Sequence, residues 1–176
     1  MSDDKTLSAG SFSVWLAETR RALDGAANAD VPCNGCTACC RAAQFVHIGA
    51  DEIETLARVP RELQFPAPGG AAGDVVLGYD ERGHCPMLVD DACSIYEHRP
   101  RACRMYDCRV FAATGVTPAE PVAVRVRRWR FDYASDGDRV AHDALRAGAA
   151  ALTASNPTEQ AVVAVRAHLS GRSPSG

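Results

Sequence analysis

Cys33-Asn34-Gly35-Cys36-Thr37-Ala38-Cys39-Cys40 sets four thiols within eight residues, and Cys85, Cys93, Cys103 and Cys108 follow at intervals of seven, nine and four residues. Buried cysteines can serve as small hydrophobes. This stretch, however, has no apolar periodicity for four of them to complete, and close thiol spacing reads as metal binding. Two residues between thiolates let a loop fold back so that both sulfurs face one centre. Adjacent Cys39 and Cys40 direct their side chains differently, so one is expected to join Cys33 and Cys36 while the other serves a second site or an interface with the second cysteine group.

The wider chain favours ligation over disulfides. Met1-Ser2-Asp3-Asp4-Lys5 is acidic and has no apolar core of a secretory signal, and no run approaches the roughly 18 apolar residues that cross a bilayer. A reducing, cytoplasmic setting follows, where thiols stay reduced. A net charge of −3 with 23% charged and 47% apolar residues is ordinary for a soluble domain and points to neither a nucleic-acid nor a membrane partner. All eight cysteines, Cys33, Cys36, Cys39, Cys40, Cys85, Cys93, Cys103 and Cys108, are therefore candidate metal ligands, enough for two Cys₄ zinc ions or two Cys₄ clusters, or for one site plus spare thiols. Zinc sites usually pair C-x2–4-C knuckles. The second group offers only Cys103-x4-Cys108 as a near-knuckle, whereas C-x2-C-x2-C resembles ferredoxin ligation completed by a remote cysteine. The cofactor is thus an iron–sulfur cluster (4Fe-4S) or zinc, with a slight lean to iron–sulfur.

At 176 residues the chain has room for one main core, and an α+β fold is expected. It is a small single domain over 11–169, between flexible ends at 1–10 and 170–176. A loop-rich cysteine core over 30–110 carries short antiparallel strands, and a C-terminal strand and helices occupy 120–169. Phe12, Trp15, Leu16 and Leu23 fall at helical spacing before Gly25. Phe45–Ile48 reads as extended. A helix is predicted from Gly49, with Asp51 and Glu52 in its first turn and Ile53, Leu56 and Ala57 on its buried face. Val75–Tyr79, His84–Val89 and Ala92–Tyr96 read as strands. Pro100 opens a helix over Arg101–Cys108. The alternation Val122, Val124, Val126 predicts a strand, and helices follow over 138–154 and from Asn156-Pro157, an Asn cap with Pro at the first position.

Taken together, Cys33–Cys40, His84-Cys85-Pro86-Met87-Leu88, Cys93-Ser94-Ile95-Tyr96 and Arg99-Pro100-Arg101-Ala102-Cys103-Arg104-Met105-Tyr106-Asp107-Cys108 resemble the CxxCxxCC (YkgJ-type) cysteine-cluster family over roughly residues 30–110. The resemblance implies a zinc- or iron-chelating domain. A related cluster in flagellin lysine N-methylases implies a distant link to protein modification, so an iron–sulfur-dependent modifying enzyme or accessory factor is one alternative. A structural zinc module with a protein partner is another. Gly49 departs from the Ser or Thr cap common in the family. Eight arginines lie between Glu97 and Arg130 against three acidic residues, a charge balance that suits an anionic cluster or an anionic partner. His84 and His98 flank the cysteines as surface groups or as partners to the ligands. No phosphate loop, nucleophile elbow or paired acid–base carboxylates appear.

Overall fold

The computed structural model describes residues 5–27, 29, 31 and 35–171. Cys33, the ends 1–4 and 172–176, and Asp30 and Pro32 of the loop before the first cysteines lie outside them. In chain order the elements are β1 (Leu7–Ser11), α1 (Phe12–Leu23), β2 (Val46–Ile48), α2 (Ile53–Arg58), β3 (Gln64–Pro66), β4 (Val75–Leu77), β5 (Leu88–Val89), β6 (Ala92–Cys93), α3 (Arg101–Met105), α4 (Arg109–Thr114), α5 (Val122–Val126), β7 (Trp129–Asp132), α6 (Asp136–Ala150) and α7 (Pro157–Leu169). Helices and short strands make an α+β fold. They form two compact units: Met1–Ala29 with Asp107–Gly176, and Asp30–Tyr106. No helix among the described residues is long and apolar enough to cross a membrane.

The helical unit packs Phe12 and Trp15 of α1 against Ala113 of α4, Leu145 and Ala149 of α6, and Ala164 and Val165 of α7. Both long C-terminal helices begin on side-chain caps. The Ser135 hydroxyl accepts the Asp138 N–H, and the Asn156 side chain accepts the Glu159 N–H, satisfying amides that a helix start leaves unpaired. Leu7–Ser11, expected within a frayed end, is instead a strand pairing in parallel with β7. It buries Ala9, and its partner lies too far along the chain for local pattern to reveal.

The strand predicted over 122–126 is the helix α5. Val122, Ala123 and Val126 are buried while Val124 is exposed, so the buried set follows the i, i+1, i+4 face of a helix. The predicted Arg101–Cys108 helix stops at Met105. Tyr106 is extended, and the Asp107 carboxylate accepts the Arg109 N–H at 2.9 Å, an Asx turn that restarts the chain as α4.

The Asp30–Tyr106 unit holds an antiparallel sheet in the order β2-β4-β3 and the β5–β6 hairpin. Asp90 and Asp91 turn that hairpin with φ of 48° and 59°, the backbone a tight two-residue connection requires. Val46, Ile48, Val59, Leu77, Met87 and Ile95 form its core, with Cys85 and Cys93 packed against it. The predicted strand over 84–89 shrinks to Leu88–Val89. Upstream, His84 and Arg82 give their amides to Asp80, and Cys85 gives its own to the Cys40 carbonyl at 2.7 Å. Helix α2 also turns differently from expectation. Ile53 and Ala57 are exposed, and Glu52, Thr55 and Val59 face inward.

In the helical unit, Asp107 accepts the Trp15 indole N–H at 2.9 Å and pairs with the buried Arg109 guanidinium, also at 2.9 Å. Arg109 in turn reaches the Ala9 carbonyl. Asp107→Ala leaves that guanidinium buried without its carboxylate and should cost about 3–5 kcal/mol. Glu120→Ala, which breaks an exposed pair with Arg127, should cost less than about 1 kcal/mol. Urea denaturation of the two variants tests the contrast.

Candidate metal centre

Three pieces of local structure bring cysteines toward one place in the Asp30–Tyr106 unit. The first is the turn carrying Cys39 and Cys40, a 3-10 turn over Cys39–Arg41. Gln44 donates to the Cys39 carbonyl at 3.1 Å, and Arg41 donates to the Thr37 hydroxyl at 3.3 Å. The second is the Cys85 turn, docked through the Cys85 N–H to Cys40 carbonyl bond and closed by Leu88 N–H to Cys85 carbonyl at 2.9 Å. Gly83 leads into it with a φ of 77°, and a Cβ there would stand 3.0 Å from Ala43, so a glycine meets both the backbone and the close approach. The hairpin then sets Cys93 opposite Leu88. The third piece is α3, which carries Cys103.

The thiols of this unit act on one another. Cys39 has its pKa raised most of all, first by a hydrogen bond with the neighbouring Cys40 thiol and then by burial. Burial pushes the Cys85 thiol up, with the charges of Cys93 and Cys39 adding to it. Cys103 is exposed as a residue, yet local burial pushes its thiol up to about 12, with Cys39, Cys85 and Cys93 adding and Arg99 opposing. Backbone N–H groups partly offset the effect, from Met87 toward Cys85 and from Cys40 toward Cys39. Sulfurs that resist ionisation because they are crowded and buried are a donor set a cation would favour, since a coordinated thiol loses its proton.

Cys39, Cys40, Cys85, Cys93 and Cys103 are thus brought together. Cys36 is half-buried in the first cysteine loop, and no described cysteine is in a disulfide. Cys108 belongs to the helical unit, where its sulfur accepts the Trp129 indole N–H at 3.2 Å. Among the described residues no three Cys, His, Asp or Glu side chains are drawn tightly enough to hold one metal ion. The five thiols are neighbours within electrostatic reach, not a closed ligand shell.

One residue that fixes this arrangement was read in sequence only as a helix-start acid. Glu52 is buried, and it accepts the Gly49 N–H at 2.9 Å and the Arg101 N–H at 2.6 Å. It therefore closes the turn that leads into its own helix and caps the start of α3, two residues before Cys103. The Gly49-x-x-Glu52 spacing is half of a capping box and could have signalled the first bond. Nothing local signals the second. Thr55 adds a bond to the His98 carbonyl at 2.8 Å, and His98 pairs with Glu54 at 3.0 Å. Of the flanking arginines, Arg104 donates to the Arg99 carbonyl at 2.5 Å and lies 3.7 Å from Glu52, while Arg99 donates to the Tyr96 carbonyl at 2.8 Å.

A family model described as "CxxCxxCC: Putative zinc- or iron-chelating domain" matches residues 32–122, just over half of the chain. No curated protein and no solved structure matches the sequence.

Glu52→Ala removes the acceptor of one buried and one part-buried amide and should destabilise the Asp30–Tyr106 unit by about 1–3 kcal/mol. Glu54→Ala, at a carboxylate 75% exposed, should change little. Amide hydrogen exchange at Arg101 and Cys103 checks the comparison.

Proposed function

We propose, from the premise that this chain belongs to the CxxCxxCC family of zinc- or iron-chelating domains, that Cys39, Cys85, Cys93 and Cys103 form its principal Cys₄ ligand set. The observation that carries the reading is how their segments meet within one unit: the Cys85 N–H docks on the Cys40 carbonyl at 2.7 Å, next to Cys39, and Cys85 and Cys93 pack against the same small core. Cys33, Cys36, Cys40 and Cys108 complete the eight-thiol motif, and their assignment as further ligands rests on the motif. Metal binding of this kind supplies folding free energy. Glu52 and Arg104 would orient α3 and hence Cys103, as partners behind metal ligands do.

Iron–sulfur ligation, as a 4Fe-4S cluster, is the favoured chemistry. The C-x2-C-x2-C run suits it, and Cys85, Cys93 and Cys103 are single cysteines on separate segments, not a second zinc knuckle. The amides of Met87 and Cys40 that face sulfur would tune such a cluster. Bound, an iron–sulfur core would supply one-electron chemistry, and zinc would supply a structural crosslink. A structural zinc module with a protein partner is the second reading. It is favoured by Phe45 and Tyr79, exposed on the same unit at 66% and 44% with ring centroids 5.3 Å apart.

Cys85→Ser, Cys93→Ser and Cys103→Ser should each lose metal through dialysis that leaves the parent loaded, because a hydroxyl replaces a thiolate ligand. Elemental analysis with labile-sulfide assay and visible absorption reads the result. Iron with sulfide and a brown colour supports the cluster, and colourless protein with stoichiometric zinc supports the module. Full metal content in all three variants would overturn the ligand set.

A further inference from the structure

The helical unit contains a cavity of about 470 Å³, within the size range of small-molecule sites. Phe111, Val126, Phe131 and Tyr133 contribute apolar wall, and Arg127, Arg130 and Arg146 contribute charge. No aspartate or glutamate lines it. Its lining comes from residues 111–146 alone, all within this unit.

The three arginines differ in how far their charge is answered. Arg127 pairs with Glu120 at 3.1 Å. Arg130 donates to the Arg127 and Trp129 carbonyls at 2.7 and 2.8 Å, bonds that hold its guanidinium without neutralising it. Arg146 makes no hydrogen bond or ion pair among the described residues. Its guanidinium lies against Gly115, where a Cβ would come within 3.2 Å of Nη2. His142, in the wall, adds no positive charge near neutral pH, because burial lowers its pKa. Its Nδ1 meets the Tyr133 hydroxyl at 2.8 Å. Its buried Nε2 has no partner of hydrogen-bond geometry, although the Ala112 and Ala113 backbone lies close enough to act on it.

We infer that this cavity is a binding site for a small organic anion, with a flat apolar body against Phe131 and Tyr133 and a carboxylate or phosphate at Arg130 and Arg146. An apolar enclosure with a few convergent polar groups is the usual form of such sites. Arginine suits planar oxyanions because its fork of donors matches them. The competing explanation is structural: Arg146 sits at the C-terminal end of α4, where the last carbonyls favour a cation. In that case it would stabilise the fold and select nothing.

Calorimetric titration of the full-length protein with naphthalene-2-carboxylate and phenyl phosphate, beside neutral 2-naphthamide, separates the two. The anions should bind at least about tenfold more tightly than the amide, the scale of charge-assisted hydrogen bonds. Arg146→Gln and Arg130→Gln together should abolish that preference while leaving amide binding unchanged. The inference fails if neither anion binds in the millimolar range, or if anion and amide bind alike. It also fails if the double variant keeps the preference and loses only thermal stability.

Discussion

Crowded sulfur is the constraint on which the Asp30–Tyr106 unit depends. The charges of Cys39 and Cys93 add to burial in raising the Cys85 thiol, and those of Cys39, Cys85 and Cys93 do the same at Cys103, and all four lie on turns or on elements of five residues or fewer. The accompanying core of Val46, Ile48, Val59, Leu77, Met87 and Ile95 is thin. Burial at roughly 25 cal/mol per Å² from so few side chains offsets little of the entropy of ordering the loops. A cation held by the thiolates would relieve the electrostatic conflict and brace the loops at once. Chelation and folding in this unit are then one problem.

Two carboxylates, one buried and one part-buried, do comparable work at the beginnings of short helices. Glu52 gathers the Gly49 and Arg101 amides and so fixes α3 relative to α2. Asp107 accepts from Trp15 and Arg109 and fixes the start of α4 within the helical core. Helices of five or six residues are too short to persist on intrinsic propensity. Side-chain acceptors that bind their first amides give these helices a defined start, and with it a defined direction for Cys103 and for Cys108.

Much of this was legible in the residues. The α+β class, α1 from Phe12, Trp15 and Leu23, and α7 from its Asn156-Pro157 opening followed from periodicity and caps, which act over a few residues. The family followed from the cysteines with the surrounding Pro, Tyr and Arg positions. Long-range pairing was not legible. Leu7–Ser11 gives no local strand signal, because its pairing with Trp129–Asp132 supplies the order. Val122–Val126 alternates like a strand, but burial of Ala123 with Val122 and Val126 selects a helix. Ile53 looked like the inward residue of α2, yet the bonds made by Glu52 and Thr55 turn it outward. Spacing also could not reveal that the Cys85 turn docks on the Cys40 carbonyl, or that Cys108 lies beside Trp129, since both depend on where distant segments dock.

X-ray absorption at the metal edge of the loaded, full-length protein tests the central claim most directly, because it reads the donor atoms themselves. The account predicts a first shell of sulfur alone, at about 2.3 Å for zinc, or sulfur with a short iron–iron vector for a cluster. A first shell dominated by nitrogen or oxygen would contradict it.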